Sequence, residues 1–147
     1  MPPVQSNITL QSKLPKDNTP TFVHRERFTV AQINAGVTLI NGLTGYKFRL
    51  HDAAIIAVGG AATTGTSVDI NATRAGSAVI LVSFKTAGMG QSVLLRAGTA
   101  TNGVLLVDGA SFTECDVATA ITVAKIGTDF TVATSFDLLV TYSLTKG

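Results

Sequence analysis

Few residues in this 147-residue chain could do catalytic chemistry: His24, His51, Cys115 and a scatter of carboxylates. Histidine is the usual base near neutral pH, and it works on a group within hydrogen-bond reach. Asp52 follows His51 directly, but the pair reads as part of a strand, where neighbours point to opposite faces. His51 then shares its face with Lys47 and Arg49, which suits solvent or an interface. Zinc needs three or four converging His, Cys or carboxylate ligands. His24, His51, Cys115 and Asp116 stand singly, with no C-x-x-C or H-x-x-x-H spacing. There is no calcium-loop pattern of spaced aspartates. Gly59 to Gly65, GGAATTG, lacks the Gly-Lys-Ser/Thr ending of a phosphate loop. The pattern predicts no enzyme, no metal and no cofactor.

Binding chemistry is the next test. Tyr46-Lys47-Phe48-Arg49 interleaves rings and cations, as single-strand nucleic-acid binders do. On a strand, however, the rings fall opposite the charges, so the rings belong to the core and the charges to the surface. The expectation is no direct contact with nucleic acid. The longest apolar stretches fall well short of the ~18 residues a membrane helix needs, so no membrane partner is expected either.

The elements that must position these residues read as strands. Thr29 and Gln32 form a T-x-x-Q capping box, which predicts a short helical turn near residues 29–35, ended by Gly36. From Tyr46 the chain alternates, with Tyr46, Phe48 and Leu50 on a buried face. From Ala53 to Val58 both faces are apolar, as in a strand running into an interior. Ala78 to Phe84 is also apolar on both faces and predicts a central strand. Phe136 to Leu144 alternates most cleanly and predicts a long final strand. About eight strands with turns every 8–12 residues predict an all-β, antiparallel β-sandwich, most simply a jelly roll, with a closed barrel as the alternative.

Composition agrees. Charged residues make up 14% of the chain, and the single cysteine excludes an internal disulfide. That cysteine usage suits synthesis in a reducing cytoplasm, and residues 1–5 show no leader. Residues 1–51 carry six basic and two acidic groups, whereas the rest carries five and seven. Opposed poles of this kind suit self-assembly or docking on a charged lattice. Residues 1–20 hold all four prolines and no sustained hydrophobic period. They predict an extended N-terminal arm, followed by one domain over residues 21–147. The candidate partner-binding residues are Ile8, Leu10, Lys13, Leu14 and Lys16 in the arm, with Lys47, Arg49 and His51 on the strand.

The segment F-T-x-A-x-I-N-A-G, then Gly-Tyr-Lys-Phe-Arg-Leu, then Gly-Gly-Ala-Ala-Thr-Thr-Gly-Thr-Ser-Val-Asp-Ile resembles small virion structural proteins of tailed bacteriophages. Ala120 to Gly127 and Leu138 to Ser143 are similar too. Among such proteins the chain looks most like capsid decoration, or cement, proteins. The resemblance spans about residues 28–145 and rests on turn and strand patterns, so it transfers no individual binding residue. It implies a protein made in the host cytoplasm and located on the capsid surface of the virion. There, as a homotrimer, it would brace joints between subunits of the major capsid protein. The alternative is a glycan-binding or adaptor β-sandwich of a phage fibre or tail.

Overall fold

A computed structural model describes residues 20–97, 103–105 and 113–147. The predicted arm lies outside the described residues except for Pro20. Among the described residues, nine strands carry the fold. They are β1 (Thr21–Thr29), β2 (Val37–Ile40), β3 (Tyr46–Val58), β4 (Ser67–Arg74), β5 (Ser77–Lys85), β6 (Leu94–Arg96), β7 (Gly103–Leu105), β8 (Ile121–Ile126) and β9 (Ser135–Lys146). A helix, α1 (Val30–Ala35), follows β1, and a 3-10 turn spans Thr86–Gly88.

The strands form two antiparallel sheets, ordered β1-β9-β3-β6 and β2-β8-β4-β5-β7. Setting aside the short edge strand β7, the pairs nest. The first strand pairs with the last, β2 with β8, β3 with β6 and β4 with β5. Nested pairing of this kind is a long hairpin rolled on itself, which is the jelly roll. Antiparallel strands alternate their side chains, so each sheet gives one face to the shared core. Phe136, Leu138 and Val140 of β9 pack there against Val68 and Ile70 of β4 and Ile121 and Val123 of β8, all fully buried.

α1 forms for the reason its sequence predicts. The Gln32 backbone N–H donates to Thr29 Oγ1 at 3.2 Å, and the Thr29 N–H donates to Gln32 Oε1 at 2.8 Å. Gly36 at φ 84° ends it, a left-handed conformation that costs glycine little. The turn closes one end of the sandwich. Ile33 is buried, and the Asn34 amide donates to the Phe130 carbonyl while accepting from its N–H.

Three expectations need correction. β3 carries a bulge: Leu50 pairs with Tyr142 and Asp52 with Thr141, leaving His51 as an extra residue. The bulge restarts the alternation, so Ala53, Ile55 and Ala57 face the core and Asp52, Ala54 and Ile56 face outward. Outward, the second half of β3 is only partly covered, with Ala54 buried but Ile56 half-buried. β5 lies beside the short β7, and its Ser77, Ala78 and Ile80 are exposed, so only Leu81, Val82 and Phe84 behave as central-strand residues. Tyr46 opens β3 and is 39% exposed rather than buried. Tyr142 is half-buried, stacked on Phe22 and edge-on to Phe48.

The β4–β5 turn places Ala75 at φ 51° and Gly76 at φ 74°, the two-residue pattern of a type I′ hairpin. Alanine pays a steric penalty there that asparagine largely avoids. Ala75→Asn should therefore stabilise the protein by about 1 kcal/mol, read as a higher urea midpoint with an unchanged slope.

Candidate docking surface

The residues singled out on β3 do not form an open basic strip. Arg49 bonds to Glu114 at 3.1 Å, and Lys47 lies 4.0 Å from the same carboxylate. Glu114 belongs to a bridge, residues 113–119, that ties β3 to the β4–β5 hairpin. In it the Cys115 N–H donates to the Phe48 carbonyl and the Asp116 N–H to the Thr73 carbonyl. The Asp116 carboxylate accepts from the backbone N–H groups of Ala75 and Gly76, which hold it below the usual carboxylate range. Burial pushes the Cys115 thiol up against a weaker opposing pull from Arg74, as befits an inert packing thiol. Ile8, Leu10, Lys13, Leu14 and Lys16 lie outside the described residues.

His51 sits exposed on the bulge, with its Nε2 2.8 Å from the Ser143 hydroxyl. An imidazole on a hydroxyl is a base–nucleophile pair, and it still needs a third group that orients the ring. Asp52 stands next in the chain but is occupied, bonding Arg96 and accepting from the Ala53 N–H. His24 bonds the exposed carboxylate of Glu26 at 2.9 Å. Among the described residues no three His, Cys, Asp or Glu side chains come together as a metal site would require, and no helix is long and apolar enough to cross a membrane.

What the strands do assemble is an apolar groove of about 250 Å³ across the outer face of the β1-β9-β3-β6 sheet. Strand register builds it in rows. One row runs Arg25, Leu139, Ala54, Arg96 from β1 to β6. The next runs Arg27, Asp137, Ile56, Leu94. Leu139, Ala54 and Ile56 make the floor, and Leu94, 56% exposed, makes a wall.

Ion pairs fix both ends. Arg27 grips Asp137 with two bonds, 2.6 and 2.9 Å, while Arg96 bonds Asp52. The Arg27 bonds, with the nearby charges of Arg27 and Arg25, hold the Asp137 carboxyl below its ordinary range. Arg25 adds to that field, but among the described residues it has no hydrogen-bond or ion-pair partner.

This surface was missed in the sequence. Part of it was legible: Val23, Arg25 and Arg27 alternate with Phe22 and Phe28, and Asp137 sits between Phe136 and Leu138. The floor was not, because placing Ala54 and Ile56 outward requires the bulge.

No family model matches the chain, and no curated protein matches it. Among solved structures it is similar to a chain from the "Cyanophage Pam1 capsid asymmetric unit". The two are 18% identical with a TM-score of 0.40, over 91% of this chain and 94% of that one. A likeness at that identity and score assigns neither function nor partner.

Asp116 and Asp137 both titrate lower in the folded chain than their ordinary value of 3.8. Their stabilisation is therefore complete above that value and is lost as pH falls through it toward the folded values. The thermal midpoint should hold from pH 7 to 5 and drop below pH 4. Asp116→Asn should lower the midpoint at pH 7 and flatten the acid limb, as followed by circular dichroism.

Proposed function

We propose that the chain is a structural protein of a phage virion that binds the exterior of the assembled capsid and stabilises contacts between major capsid subunits. The observation that carries this is the outer face of the β1-β9-β3-β6 sheet, an apolar floor between charged ends that no described element covers. An apolar patch rimmed by charge is the anatomy of a protein contact. The strand and turn patterns that resemble decoration proteins point the same way. The jelly roll by itself does not choose, because it serves shell and sugar-binding proteins alike.

In this function the chain works as a homotrimer on the capsid surface, with the major capsid protein as partner and no direct contact with nucleic acid or membrane. The arm supplies partner contacts through Ile8, Leu10, Lys13, Leu14 and Lys16. Lys47, Arg49 and His51 mark a second flank. Glu114 offsets one of the two charges there, bonding Arg49 and standing farther from Lys47. A glycan-binding or adaptor β-sandwich of a fibre or tail is the second reading, favoured only by the exposed ring of Tyr46.

Cryo-electron microscopy of particles assembled with and without the chain tests the proposal. Extra three-fold density on the shell, and survival of the filled particle at higher temperature, are expected. Density confined to the tail or fibres would contradict it. Light scattering of the free protein at micromolar concentration should give the mass of three chains.

A further inference from the structure

The groove has an apolar floor and, at its β1 end, Arg25, which among the described residues has no bonded partner. The chain itself carries a segment of matching chemistry, Leu14-Pro15-Lys16-Asp17. Proline favours the polyproline II conformation, which repeats every three residues with a rise of about 3.1 Å. In that conformation Leu14 and Asp17 share one face about 9 Å apart, while Lys13 and Lys16 share another. Arg25 and Ala54 lie in one row, two strands apart. Two strand spacings are about 9.6 Å. A leucine and a carboxylate at that separation match the apolar floor and the unpaired guanidinium, with the lysines turned away from the arginines.

The tether decides whose segment this is. The arm joins the fold at Pro20, immediately before β1. To reach its own groove the chain must reverse, and a tight turn uses four residues with ends under about 7 Å apart. A reversal through Asn18 to Thr21 leaves Asp17 near Thr21. Arg25 is four residues farther along β1, about 13 Å away. The same segment from a second copy has no such restraint.

We propose that residues 14–17 of a second copy occupy this groove, Leu14 over Ala54 and Asp17 on Arg25, so that copies exchange their arms. Each copy then gives one arm and receives one, and three copies related by a three-fold rotation close such an exchange into a ring. The exchange deepens the homotrimer within the proposed function but does not involve the capsid. Arm exchange without capsid binding would therefore sink only the capsid role.

The test uses full-length chains. A chain bearing Leu14→Cys is mixed at micromolar concentration with a size-tagged chain bearing Ala54→Cys and oxidised. The control partner carries Val132→Cys, which is 59% exposed and lies outside the groove. Disulfide formation between chains at Ala54→Cys should be at least tenfold faster than at Val132→Cys. Asp17→Asn or Arg25→Gln should slow it several-fold and lower the mass seen by light scattering. Equal rates at the two positions would overturn the proposal. So would a disulfide forming only within one chain when both cysteines are placed together, independent of protein concentration. Should Ala54→Cys impair folding, the methyl resonances of Leu94 and Leu139 in the otherwise native chain replace it. They should shift on Asp17→Asn, and unmoved resonances would equally overturn the exchange.

Discussion

One extra residue, His51, sets the phase of the longest strand in the molecule. β3 spans thirteen residues and pairs with both β9 and β6. Uninterrupted alternation from Phe48 and Leu50 would send Asp52 into the core. A buried carboxylate without a charged partner is costly, and an apolar sandwich offers none. The bulge removes that conflict by keeping His51 and Asp52 both on the outer side before alternation resumes. Ala53, Ile55 and Ala57 then complete the core, while Ala54 and Ile56 come to lie outside.

The outer face follows from that phase. Asp52 is placed where Arg96 can bond it, and Ala54 and Ile56 are placed in rows with Leu139 and Leu94. The ion pairs at the groove ends are largely exposed, and exposed pairs contribute little to stability. Their effect is positional: they keep long side chains off the apolar floor. The other polar contacts serve the scaffold. Asp116 holds a strained hairpin turn, Asn34 pins the end of the sandwich, and Glu114 bonds Arg49. What remains unsatisfied is an apolar floor and Arg25, the combination a partner segment would meet.

Much of the fold was legible because it rests on local signals. The capping box at Thr29 and Gln32, the glycine after α1 and the alternation through β9 are each decided within a few residues, and each appears where the sequence puts it. Jelly-roll nesting is a long-range property, inferred from strand count and confirmed by pairing. The site was less legible. Ala53 to Val58 is apolar at every position, so its pattern cannot say which residues turn inward, and nothing in His51 itself announces a bulge. Alternation alone puts Tyr46 on the buried face, but as the first residue of β3 it is left 39% exposed. Lys47 and Arg49 were seen as a free face because Glu114, 65 residues from Arg49, is invisible to a local pattern.

The phase of β3 can be tested by deleting single residues on either side of Asp52 and following equilibrium unfolding. Removing His51 should erase the bulge and leave every other face unchanged. Cooperative unfolding should then persist with a loss no larger than about 2 kcal/mol, the size of an ordinary point substitution. Removing Ala53 erases the same bulge but turns Asp52 into the core, and the chain should lose cooperative folding at neutral pH. Equal tolerance of both deletions, or greater damage from losing His51, would contradict the account.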